Sequence, residues 1–116
     1  MGFATVVPAQ DQMTATRVWA SDVNGVAISD AYFQVDGQWY MGAAQFNWPT
    51  GSKHLVRVDS PQYSGPAFKI RYEFDGLTSS NGPVCCPNNQ MPITADPGVT
   101  WYNLRFRVKY ALTVSY

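Results

Sequence analysis

The chain has 116 residues, eight basic and eight acidic side chains, one histidine and two cysteines. Balanced charge leaves no global field to draw nucleic acid or an anionic lipid surface. No apolar run approaches the roughly twenty residues of a membrane-spanning helix. Apolar residues make up 46% of the chain and aromatics 15%, with nine glycines and eight prolines spread as punctuation, so the composition is that of one folded, turn-rich domain over 1–116. The N-terminus, MGFATVVPAQDQ, lacks the basic region and the long apolar run of a signal peptide.

In chain order, FATVV (3–7) reads as a strand stopped by Pro8. TATRVWA (14–20) alternates, with Thr14, Thr16 and Val18 on one face and Ala15, Arg17 and Trp19 on the other. Asp22-Val23-Asn24-Gly25 is a turn, followed by short strands VAI (26–28) and YFQV (32–35). Asp36-Gly37 predicts a hairpin into QWYM. AAQFNW follows, and Pro49-Thr50-Gly51 predicts another turn. HLVRV (54–58) places His54, Val56 and Val58 on one face. AFKIRYEF (67–74) gives the cleanest alternation, with Phe68, Ile70, Tyr72 and Phe74 inward and Lys69, Arg71 and Glu73 outward, ending at an Asp75-Gly76 turn. Residues 77–90 read as a loop, MPITA as a strand and Asp96-Pro97-Gly98 as a turn. The last run, from Trp101, puts Tyr102, Leu104, Phe106 and Val108 inward, and Asn103, Arg105, Arg107 and Lys109 outward. No segment has a 3.6-residue period. Seven to nine short strands without helices predict an antiparallel β-sandwich.

The stretch from Phe33 to Gly76 carries a further pattern: F-x-VDG-x-x-Y, F-x-W-x-x-GS-x-H-x-V, S-PQ and Y-x-F-DG. It resembles a small immunoglobulin-like repeat of large bacterial surface and secreted proteins, and ITADPGVTWYNLRF with YALTVS resembles that repeat's last strand and its junction with the next copy. The resemblance covers about residues 32–115. It departs at Glu73-Phe74, where the repeat carries Trp-Ser, and in 77–90, which does not align. It implies an immunoglobulin-like sandwich, an extracellular or cell-surface location, and a spacer or adhesion role in a repeat protein or filament. Neighbouring copies or adjacent repeat domains would be the partners.

Chemistry is sparse. One histidine, His54, has no partners at a recognised triad spacing, and the resemblance implies that it supports the turn before it. Carboxylates are scattered, with no calcium-loop run, and two cysteines cannot build a four-ligand zinc site; no metal or cofactor is expected and no catalytic residue is assigned. The adjacent Cys85 and Cys86 lie in a polar stretch and suit an oxidised vicinal pair or bridges to another chain. The outward cations Lys69, Arg71, Arg105, Arg107 and Lys109 read as a solvated face, with a patch for acidic polysaccharide or nucleic acid as the alternative. Trp39 and Trp48 border turns and are the candidates for stacking on sugars. The tail YALTVSY (110–116), with Tyr110, Leu112 and Val114, continues an already long strand and would pair with a neighbouring copy by strand addition. Two functions are thus expected: a non-catalytic structural module, or a carbohydrate-binding module using exposed aromatics.

Overall fold

The computed structural model describes residues 12–85 and 89–110; for Cys85 only the backbone is described. The strands are β1 (Met13–Asp22), β2 (Tyr32–Val35), β3 (Gln38–Met41), β4 (Ala43–Pro49), β5 (Lys53–Arg57), β6 (Gln62–Ser64), β7 (Ile70–Ser79), β8 (Gly82–Cys85), β9 (Gln90–Thr94) and β10 (Trp101–Tyr110). They form two sheets. The first has the order β4-β1-β10-β7-β6, with β8 also on β7; the second has the order β3-β2-β5-β9. The all-β sandwich expected from the alternation is present. Its core is shared by both sheets: Val18, Leu104 and Phe106 of the first meet Phe33, Val56 and Met91 of the second, all essentially buried. One pairing is not antiparallel. β1 runs parallel to β10, Arg17 opposite Trp101 through Asp22 opposite Phe106.

Glycines stand at two of the places where the chain passes between the sheets, before and after β4. Asp36 and Gly37 close the β2–β3 hairpin with φ of 52° and 82°, both positive as a type I′ turn demands. One residue after β3, Gly42 turns the chain from the second sheet into the first with φ 75°. Its N–H donates to the Ala31 carbonyl at 2.7 Å, and its carbonyl accepts from the Ala20 N–H at 2.8 Å. A Cβ here would sit 2.8 Å from the Ser29 carbonyl oxygen, so only glycine fits. Gly51 returns the chain to the second sheet, and its N–H donates to the Ala95 carbonyl at 2.8 Å.

Several expectations fail for identifiable reasons. Residues 26–28 make no strand; a single bridge joins Ala27 to Ser21, and Asp22 instead collects the Asn24 and Val26 N–H groups on its carboxylate. Phe68 is not a core residue. Pro66–Phe68 form a single turn with Ala67 and Phe68 at φ 56° and 54°, so β7 begins at Ile70 and Phe68 is 72% exposed. Asp75-Gly76 is not a turn. β7 runs through it, and the register against β10 shifts there, with Gly76 opposite Arg105 and Phe74 opposite Phe106, leaving Asp75 as an added residue. Much of the expected 77–90 loop is a hairpin, β7 turning at Ser80-Asn81 into β8. Asn103 lies on the outward face of β10, as alternation puts it, yet it is buried there and not solvated: its Nδ2 donates to the Trp19 carbonyl at 3.2 Å and its Oδ1 accepts from the Ser21 hydroxyl at 3.1 Å. Those bonds cross the parallel β1–β10 seam, which is why a polar side chain sits there.

Candidate functional site

Two places gather the side chains singled out above. The first lies where the β2–β3 hairpin meets β5. Asp36, held at positive φ by the turn, aims its carboxylate at β5: Oδ1 accepts the Leu55 N–H at 2.9 Å and Oδ2 meets His54 Nδ1 at 2.5 Å. A carboxylate only accepts, so Nδ1 carries a proton, and Nε2 is hydrogen-bonded to the Ser52 hydroxyl, 2.7 Å away. Ser52 and His54 reach each other because residues two apart on a strand share a face. Trp48 stacks on His54 with centroids 3.7 Å apart, and on Phe46 at 4.4 Å. Burial raises the Asp36 pKa, but the hydrogen bonds from His54 and Leu55 outweigh it and hold the carboxyl below its usual range.

Serine, imidazole and carboxylate in this order are the atoms of an acyl-transfer relay, and no sequence spacing announced it. The three come from two turns and a strand brought together by sheet pairing. An acyl-transfer site also needs free donors for an oxyanion. Here the Gly51 N–H is spent on Ala95 and the Ser52 N–H on the Pro49 carbonyl, at 2.8 and 2.9 Å. The hydrogen bonds tie the β2–β3 hairpin, the turn at 50–52 and β5 together.

The second place is the outward face of β2 and β3 and the ground beside it. Alternation turns Phe33, Val35 and Tyr40 inward, leaving Tyr32, Trp39 and Met41 outward. Trp39 is 53% exposed and meets Tyr32 edge to face with centroids 5.4 Å apart. With Met41 and Asp59 they line a cleft of about 580 Å³. Tyr32 is fixed from behind. Gln62, a buried residue of the S-PQ motif after the cis Ser60-Pro61 bond, accepts the Tyr32 N–H at 3.0 Å and donates to its carbonyl at 2.7 Å, clamping β6 of one sheet to β2 of the other. Beyond Tyr32, Tyr63 and Phe68 line a second depression of about 500 Å³.

The residues expected to carry sugar stacking therefore part company. Trp39 lines an open cleft, whereas Trp48 is half-buried between Phe46 and His54. Tyr32, Tyr63 and Phe68 were missed. For Phe68 the alternation pattern actively misled, and only the left-handed turn before β7 reveals it. The cationic stripe is largely paired: Arg71 and Lys109 both reach Glu73, at 2.9 and 2.8 Å, Arg107 reaches Asp75 at 3.0 Å, and Arg105 donates to the Val23 carbonyl at 2.9 Å. Lys109, with Arg71 and Arg107 adding to it, holds the Glu73 carboxyl below its usual value. Tyr110 ends β10 at 71% exposure, whereas Leu112, Val114 and Cys86 lie outside the described residues, as do 3–7. Among the described residues no cluster of three or more histidine, cysteine or carboxylate side chains could hold a metal, and no helix is long and apolar enough to cross a membrane. Compared with protein-family models, curated proteins and solved structures, the chain matches none.

Proposed function

We propose that this chain is a non-catalytic structural module: an immunoglobulin-like domain of a bacterial extracellular repeat protein or filament, serving as spacer or adhesion scaffold beside neighbouring copies or adjacent repeats. The observation that carries it is the closed Ser52–His54–Asp36 chain. The motif residues VDG and GS-x-H, which bring a hydroxyl, an imidazole and a carboxylate together, are spent on bracing turns, with the adjoining N–H donors bonded to carbonyls. A domain that invests its one histidine in rigidity suits a spacer. Long β10, ending at exposed Tyr110, suits strand addition to a neighbour. Analytical ultracentrifugation of the chain, with and without residues 111–116, tests the assembly. Self-association of the full chain that disappears on truncation, with unfolding unchanged, is the expected result; a full-length monomer at every concentration overturns assembly between copies.

A second reading, carbohydrate binding, is favoured by one feature: the open cleft that Trp39 shares with edge-on Tyr32. Aromatic faces beside a carboxylate are the chemistry that grips the apolar face and the hydroxyls of a sugar ring. Titration with neutral oligosaccharides, comparing the chain with Trp39→Ala, separates it from a pure spacer.

A further inference from the structure

The cleft beside Trp39 does not stand alone. Tyr32 lines both it and the depression formed with Tyr63 and Phe68, and Tyr63 and Phe68 in turn line a third, of about 320 Å³, that ends among Lys69, Arg71, Lys109 and Tyr110. Three depressions sharing walls make one track across the side of the sandwich. It is aromatic along its length and changes charge from end to end. Asp59 borders the Trp39 end, 3.9 Å from Arg57. At the other end Arg71 and Lys109 share one carboxylate, Glu73, so that group carries a formal positive sum despite the ion pairs, and Lys69 lines the same depression.

Phe68 supplies a second, independent observation. Two consecutive non-glycine residues, Ala67 and Phe68, are held at left-handed φ, which L side chains adopt only under strain. Here that strain places an aromatic ring in water, where a strand continued one turn earlier would have buried it. Local strain of this kind is kept where a side chain must be presented. Glycine is available next door at position 65, yet the left-handed turn carries the bulky residue itself.

From the shared aromatic walls and the cationic end we infer that the track binds an acidic oligosaccharide, with a neutral sugar ring stacked at Trp39 and Tyr32, the chain passing over Tyr63 and Phe68, and a sugar carboxylate or sulfate reaching Arg71 and Lys109. This rests on the carbohydrate-binding reading and narrows it. A neutral glycan would leave the cations unused, and a purely acidic one would place a charge against Asp59. A glycan in which neutral and acidic sugars alternate matches both ends.

Isothermal titration of the full chain with a hyaluronan hexasaccharide, which alternates acetamido sugar and uronate, and with chitohexaose, a neutral chain of equal length, decides it. The acidic probe should bind roughly tenfold tighter at low salt. That advantage should vanish in about 0.5 M salt, where exposed charges are screened. Trp39→Ala should weaken both probes about five- to tenfold by removing a stacking face, and Phe68→Ala the same for the acidic one. Both side chains are more than half exposed, so the variants should unfold as the parent does; Tyr63→Ser gives a further test of the track, and Leu55→Ala, exposed elsewhere, should change nothing. Equal affinity for both probes at every salt concentration, lost in Trp39→Ala, would overturn the acidic assignment and leave carbohydrate binding standing. Binding of neither probe, or binding indifferent to Trp39 and Phe68, overturns both.

Discussion

Replacing Gly42 by alanine tests the corner that joins the two sheets. The substitution acts in three ways. A non-glycine residue at φ 75° loses about 1–2 kcal/mol to left-handed strain. The new methyl would lie 2.8 Å from the Ser29 carbonyl oxygen and 3.1 Å from its Cα, which are backbone atoms unable to swing aside, and overpacking of that kind costs about 1–3 kcal/mol. Against these, alanine restricts the unfolded chain and returns about 0.4–1 kcal/mol. The corner cannot escape by flipping, because its N–H and carbonyl are bonded to Ala31 and Ala20. The net expectation is a loss of about 2–4 kcal/mol. Gly37→Ala is the matched control: its φ is 82°, and nothing lies within 4 Å of the added methyl. There only strain and the unfolded-state gain remain, so the loss should be about 1 kcal/mol. Urea unfolding of both variants measures the difference. Equal losses would refute the claim that close approach to Ser29, and not backbone conformation alone, makes Gly42 obligatory.

Three other outcomes follow from buried or paired groups. Thr16 is fully buried and its hydroxyl has no partner among the described residues, so Thr16→Val should raise stability by about 1 kcal/mol in the same assay; a loss would mean that the hydroxyl is satisfied after all. Leu104→Ala should cost about 2–5 kcal/mol, and Arg107→Ala, whose ion pair with Asp75 is exposed, no more than about 1 kcal/mol; comparable losses would contradict the assignment of faces on β10. The Asp36 carboxyl is held below its usual value, so its contribution is present above the unfolded pKa, near 3.9, and lost as pH falls through the folded one. The Ser64 and Tyr72 hydroxyls lower Asp30 as well, despite its partial burial, so the acid-side loss should shrink in Asp36→Asn without disappearing; an unchanged pH profile would show that the bridge to His54 contributes nothing.

Period-2 alternation was enough to determine the fold class and most of the core. Thr14, Thr16 and Val18 on β1, Val56 and Val58 around β5, and Tyr102, Leu104 and Phe106 on β10 are buried where alternation puts them, because a strand's two faces are distinguished by nothing but sequence parity. Asp36-Gly37 likewise announced its hairpin, since few other dipeptides accept positive φ twice. Tertiary structure decided the rest. Asp-Gly at 75–76 has the same local preference, yet there β10 lies alongside and offers hydrogen bonds on both sides of the glycine, so the strand bulges and continues. Asn103 is outward by parity but buried, because the parallel neighbour β1 supplies Ser21 and the Trp19 carbonyl as its partners. Ser52, His54 and Asp36 are bonded in a chain only because β2 and β5 pair, and Tyr32, Tyr63 and Phe68 lie side by side only because Gln62 clamps one sheet to the other. Contacts between residues eighteen to more than eighty apart depend on which sheet each strand joins, and no local preference encodes that.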